Sequence, residues 1–359
     1  MSESKKKGKG VIFDINGFRA SILSWYWQKG RDLPWRVKGG APADPYAVWL
    51  SEIIMQQTTI PMGTPYFLKF ISLWPTLADL ADAPLDAILK HWAGLGYYAR
   101  ARNLHACARH VMAHHGGRFP ETLEGLKALP GIGPYTASAI HAICHQKPAT
   151  VVDGNVERVM SRIFAVSDPL PKSKKILIQY AEKLSVGRTD HPGDYAQGMM
   201  DLGAMICTPR LPKCGLCPVS GHCLARAQNI AEQLPMKSPK IVKPKKQGYV
   251  YWIKNKHGQI LYETRPPKGL FGGMAGLPTS EWVSESDSMT HPDILKGQKI
   301  IVHPGRHVRH VFTHFELTLI PCEITWKGLV PSHLKSVDRQ NVAELGLATL
   351  FQKVTKVMK

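Results

Sequence analysis

The sequence predicts a multidomain chain, an all-α domain closing in a cysteine-rich loop and then a smaller α+β domain. Three observations predict it. Apolar residues recur at intervals of three and four from about Asp14 to Ile206. Four cysteines, Cys207, Cys214, Cys217 and Cys223, follow at once. Beyond a lysine- and proline-rich stretch the texture turns to alternating apolar and polar residues. At 359 residues there is room for about two domains, each with its own core.

In chain order, residues 1–13 read as a disordered basic arm, polar and lysine-rich. Residues 14–206 form the all-α domain, with helical patterns such as Phe18-Ile22-Trp25, Tyr46 to Met55 and Leu123-Leu126-Leu129. Pro42, Pro84, Gly116-Gly117 and Pro192-Gly193 punctuate them. The cysteine loop spans 207–229. A stiff linker follows at 230–247, carrying Lys237, Lys240, Lys243, Lys245 and Lys246 with Pro235, Pro239 and Pro244. The second domain runs over 248–350, where Tyr249–Lys254 and Gln259–Thr264 flank the turn Lys256-His257-Gly258 and Phe315–Thr325 alternates. Residues 351–359 are a tail.

Lysine and arginine number 46 against 27 acids, a formal net charge of +19. Such an excess fits a polyanionic partner, whose counterions are released on binding; a solvated basic surface is the plainer alternative. The start of the chain lacks the apolar run of a signal peptide, and no stretch approaches the ~20 apolar residues of a membrane span. Cys107, Cys144 and Cys322 are isolated, so a disulfide framework is not expected and the compartment is read as reducing and cytoplasmic, nucleoid-associated if bacterial.

The spacing Cys-x6-Cys-x2-Cys-x5-Cys contains one Cys-x2-Cys knuckle and two single cysteines. Structural zinc sites more often use two knuckles or add histidines. The pattern therefore suits a cuboidal 4Fe–4S cluster better than zinc, with His222 as the rival ligand.

Leu129-Pro-Gly-Ile-Gly133 lies between two helical patterns. Gly131 and Gly133 allow a tight turn, and Pro134 opens the next helix. The outward amides of such a helix–hairpin–helix can accept a backbone phosphate. Glu52 lies among Val48, Trp49, Met55 and Gln56 at helical spacing. An apolar face there would desolvate the carboxyl and favour its protonated form; an exposed glutamate is the alternative. Asp153, before the helical run from Gly154, is either a simple N-cap or a carboxylate held as an anion by amide donors and the helix dipole. An acid inclined to neutrality paired with an anion is what cleavage of a glycosidic bond requires.

Six motifs and the cysteines together resemble an adenine DNA glycosylase of the MutY type, within the endonuclease III superfamily. They are Arg31-Asp-Leu-Pro-Trp-Arg36, Ser51-Glu-Ile-Ile-Met-Gln-Gln-Thr58, Gly94-Leu-Gly-Tyr-Tyr-Ala-Arg-Ala-Arg-Asn103, the Leu129–Gly133 turn, Val152-Asp-Gly-Asn-Val156 and Phe312-Thr-His314. The resemblance covers nearly the whole chain. It implies an all-α helix–hairpin–helix glycosylase domain with an iron–sulfur cluster loop, plus a C-terminal α+β Nudix-like domain. It also implies a monomer that removes adenine opposite 8-oxoguanine or guanine in double-stranded DNA.

By the same resemblance Glu52 is the general acid toward adenine N7 and Asp153 stabilises the positive sugar, with Asn155 orienting the site. Tyr135 stands where strand-cutting relatives carry a Schiff-base lysine, which implies a monofunctional glycosylase without efficient lyase activity. Arg31, Trp35, Arg36 and Gln197 match the adenine pocket, although Trp35 could be a core aromatic and the arginines surface ion pairs. Gln57, Thr58 and Tyr97 match residues that enter the duplex by the opposing base; packing is the alternative for Tyr97. Phe312, Thr313 and His314 match the loop that senses 8-oxoguanine, with Thr313 replacing the usual serine. Glu157 is a further departure, where relatives often carry a basic or apolar residue. No Nudix metal box is present, so nucleotide hydrolysis is not expected.

Overall fold

The computed structural model describes residues 13–239, 242–266 and 269–358. The basic arm expected at 1–13 lies, but for Phe13, outside them. So do positions 240–241 of the linker. The chain divides into two compact units, one of Met1–Ile53 with Arg118–Pro239 and the other of Ile54–Gly117 with Lys240–Lys359. The division falls within a helix, α2.

The first unit contains α1 (Ile15–Lys29), most of α2 (Pro45–Met55), α7 (Leu123–Lys127), α8 (Pro134–Ile143), α9 (Gly154–Ile163), α10 (Lys174–Ser185), α11 (Pro192–Asp201) and α12 (Leu224–Ala227). The three-and-four periodicity has its cause here. Phe18, Ile22 and Tyr26 of α1 are fully buried on one face, and Asp14 starts the helix by accepting from the Gly17 amide at 2.9 Å. Helix α11 is buried along its whole length and packs on α1, α8 and α9. Gly198 lets α1 come close: a Cβ there would sit 2.9 Å from Ile22 Cγ2. A π-helical turn, Leu202–Ile206, extends α11 into the cysteine segment.

The second unit holds α3 (Ile60–Leu73), α4 (Leu77–Asp82), α5 (Leu85–Trp92) and α6 (Ala99–His115) together with a sheet and α13 (Thr349–Met358). A capping box between Thr76 and Asp79 opens α4. The strands are β1 (Lys245–Lys254), β2 (Ile260–Thr264), β3 (Ala275–Gly276), β4 (Val283–Ser284), β5 (Ile300–Val302), β6 (Val308–Val311), β7 (Glu316–Thr325) and β8 (Leu334–Val337). The sheet order is β3-β2-β1-β7-β5, with β4, β6 and β8 pairing β1, β7 and β2. Strands β1 and β7 run parallel over ten residues, Lys245 opposite Glu316 through Lys254 opposite Thr325. Tyr251, Ile253, Leu261, Cys322, Ile324 and Trp326 form a buried cluster on this sheet. Lys245 and Lys246 open β1, because a strand at the sheet's centre gains hydrogen bonds on both sides.

The iron–sulfur part of the expected fold is corrected. Among the described residues no group of three or more His, Cys, Asp or Glu side chains could hold a metal ion. Cys207, Cys214, Cys217 and Cys223 line one cavity with Val159, Arg162 and Leu202. Burial pushes the Cys217 thiol up to about 11 and raises that of Cys223. Arg162 Nη1 donates to Cys207 Sγ at 3.2 Å, and Cys223 Sγ lies 3.4 Å from the Arg162 carbonyl. His222 packs against the rings of Phe13 and Phe18.

Candidate active site

The first unit gathers most of the residues singled out in the sequence. Glu52 is on α2, and Tyr135 is the second residue of α8. Desolvation pushes the Glu52 carboxyl up to about 7, and the negative charge of Asp153 adds to the rise. A hydrogen bond with Tyr135 and the charge of Arg36 oppose it. The Tyr135 hydroxyl is also 3.4 Å from Met200 Sδ. Burial and the charges of Glu52 and Asp153 raise the phenol well above its usual range. It therefore stays protonated, able to donate to an ionised Glu52 or to accept from a neutral one.

Asp153 caps α9. One carboxyl oxygen accepts from the amides of Asn155 (2.9 Å) and Val156 (2.8 Å), and the other from Asn155 Nδ2 (2.8 Å). Of the two readings of this residue the cap is the one observed, and its charge contributes to the raised pKa values of Glu52 and Tyr135. Asn155 is fixed in turn by Arg158 Nη2, which donates to its Oδ1 at 2.8 Å and to the Gly203 carbonyl. Close contact with the π-helical turn adds to this, since a Cβ on Gly203 would lie 2.6 Å from Asn155 Cβ. Glu157, the unexplained departure in this motif, pairs with Lys174 at 3.0 Å.

Arg31 and Arg36 converge on Asp201, whose side chain is fully buried. Arg31 gives it the backbone amide and Nε, each at 2.8 Å, and Arg36 gives Nη1 at 2.8 Å. Sequence reasoning missed Asp201, although a lone acid after Met199-Met200 in an otherwise uncharged run was a visible signal. Trp35 and Gln197 are both buried, and Gln197 donates to the Gly193 carbonyl of its own helix at 3.2 Å. Removing Asp201 would strand two guanidinium groups. Asp201→Ala should lower the unfolding free energy by about 3 kcal/mol, read from the denaturant midpoint at unchanged slope.

The hairpin between α7 and α8 has the expected turn. Gly131 takes φ +73°, which a side chain would strain. No side chain caps the first turn of α8, and a Cβ on Gly133 would meet open space.

The remaining candidates lie in the second unit. Gln57 and Tyr97 are exposed, with φ +59° and +47°. Thr58 Oγ1 lies 3.4 Å from the Gln56 carbonyl. Tyr97 Oη is 3.1 Å from Thr313 Oγ1, which joins two of the predicted residues directly. Phe312 packs among Phe271, Trp282, His310 and Phe315, and His314 is exposed.

A glycine turn between two helices, an aspartate that caps the next helix and a glutamate with a raised pKa fit a base-excision enzyme of the glycosylase class. Comparison agrees: residues 50–185 match the HhH-GPD superfamily base excision DNA repair proteins, and residues 249–357 match the NUDIX domain. The adenine DNA glycosylase of Homo sapiens is 32% identical over 96% of this chain and 74% of its own length. That of Buchnera aphidicola (from Schizaphis graminum) is 32% identical over 95% of this chain and 99% of its own. A solved structure of a thermostable thymine-DNA glycosylase superposes with a TM-score of 0.53 at 32% identity, covering 60% of this chain and 97% of that one. The chain belongs to the adenine DNA glycosylase family, and is a DNA-glycosylase-type hydrolase of base excision repair. No helix among the described residues is long and apolar enough to cross a membrane.

Proposed function

We propose that this chain hydrolyses the N-glycosidic bond of adenine opposite 8-oxoguanine or guanine in double-stranded DNA, and leaves the strand uncut. The observation that carries the reading is the shared site of Glu52, Tyr135 and Asp153, an acid raised to about 7 within reach of a carboxylate's field. The base is extruded from the stack, and Glu52 protonates its N7. The bond from C1′ to N9 then breaks, and Asp153, oriented by Asn155, offsets the positive charge left on the sugar. Glu52, now anionic, takes a proton as water adds to C1′, so the acid is restored.

Arg31, Trp35, Arg36 and Gln197 would form the walls of the adenine pocket, with Asp201 locking the arginines. Gly131 and Gly133 would meet the phosphate backbone. Gln57, Thr58 and Tyr97 would enter the duplex, and Phe312, Thr313 and His314 would sense the opposing base. Tyr135 has no amine and so cannot form the imine through which lyases cut.

A single assay tests substrate and subclass together. Duplexes bearing adenine opposite 8-oxoguanine, guanine or thymine are incubated with the protein and resolved with and without alkali. Free adenine and alkali-dependent breaks are expected from the first two, and intact strands without alkali. Release only opposite thymine would overturn the substrate, and breaks without alkali would overturn the subclass.

A further inference from the structure

We propose that Arg100 is a positioning residue that locks Gln57 and Tyr97 into one rigid wedge, the element that parts the duplex during base extrusion. The proposal rests on the functional reading above and concerns the second unit alone. Arg100 lies at the start of α6. Its Nη1 donates to the carbonyls of Ile54 (3.1 Å) and Gln56 (2.6 Å), and its Nη2 to those of Leu95 (3.1 Å) and Gly96 (3.3 Å). One guanidinium therefore ties together two segments some forty residues apart in the chain.

The position of these contacts is what gives them meaning. Gln56 and Gly96 each immediately precede a non-glycine residue in left-handed backbone, Gln57 at φ +59° and Tyr97 at φ +47°. L-residues disfavour that conformation, and neither side chain is buried to hold it. Tyr97 is 54% exposed and Gln57 is also exposed. Tyr97 Oη reaches Thr313 Oγ1 at 3.1 Å, but the backbone on either side needs a restraint of its own. Arg100 supplies it, and its own amide bonds to the Tyr97 carbonyl at 2.8 Å. The guanidinium also lies over the rings of Trp92 (5.0 Å) and Tyr97 (5.8 Å). Trp92 Nε1 adds a further bond to the Gly96 carbonyl at 3.0 Å. A lysine could reach one segment but could not fork to both or stack its plane on the rings.

The test uses the full chain and a duplex with 2-aminopurine opposite 8-oxoguanine, whose fluorescence brightens on extrusion. For Arg100→Gln the brightening rate should fall by about tenfold or more, while duplex affinity stays within about threefold. Arg100→Lys should fall between Arg100→Gln and wild type. In the double variant Arg100→Gln/Tyr97→Ala, extrusion should be no slower than in the worse single variant, since both act through one wedge. Additive losses, or extrusion at the wild-type rate in Arg100→Gln, would overturn the proposal. If Arg100→Gln does not fold, Arg100→Lys decides: wild-type extrusion by it refutes the role. A wild-type protein that releases no adenine refutes the functional reading instead, so the two failures are distinct.

Discussion

Glu52→Gln should release adenine at least about 10³-fold more slowly than wild type in single turnover, with duplex affinity nearly unchanged. Glutamine keeps the size and a hydrogen-bond partner for Tyr135, and removes only the transferable proton. The pH profile gives an independent reading. The carboxyl titrates near 7 because it is desolvated and close to Asp153. The protonated form is the active acid, so the wild-type rate should be flat well below pH 7. It should fall as pH rises through about 7, tenfold per unit beyond. In Glu52→Gln that descending limb should vanish from whatever residual rate remains. A variant as fast as wild type, or a wild type whose rate climbs through pH 7, would remove Glu52 from the role of acid.

Much of this site was legible because its local chemistry is encoded locally. The cap at Asp153 and the left-handed Gly131 follow from residues within a few positions of each, so the motifs sufficed to place them. The apolar spacing around Glu52 left a desolvated carboxyl and an exposed one both open, and it is burial in the fold that raises its pKa. Asp201 stood out only as a lone acid; its partners were not legible, because Arg31 and Arg36 lie about 170 positions away and the helix is buried on every side. The strand β1 begins in residues that read as a linker, since Lys245 and Lys246 gain their conformation from β7 rather than from their own preference. The cysteines mark the opposite failure. Their spacing spoke for a cluster, but spacing carries no information on Arg162 being engaged with two of them.

Asp153→Asn should separate the two duties of that residue, and the separation is the strongest test of the electrostatic half of the mechanism. Asparagine caps helices as well as aspartate does. The bonds from the Asn155 and Val156 amides can therefore persist, and stability should stay within about 1 kcal/mol of wild type. The charge is lost, and Asn155 Nδ2 loses its carboxylate acceptor. The rate of adenine release should drop by about 10³-fold, because the positive sugar then develops without a counter-charge. The pKa of Glu52 should fall as well, since Asp153 contributes to its rise. The residual rate should then begin its decline at lower pH than in wild type. Asp153→Ala should add the loss of the cap, about 1 kcal/mol in stability, to a similar loss of rate. Rates, denaturant midpoints and pH profiles on the three proteins distinguish the outcomes. If Asp153→Asn retained release within about tenfold of wild type, the carboxylate would be only a helix cap.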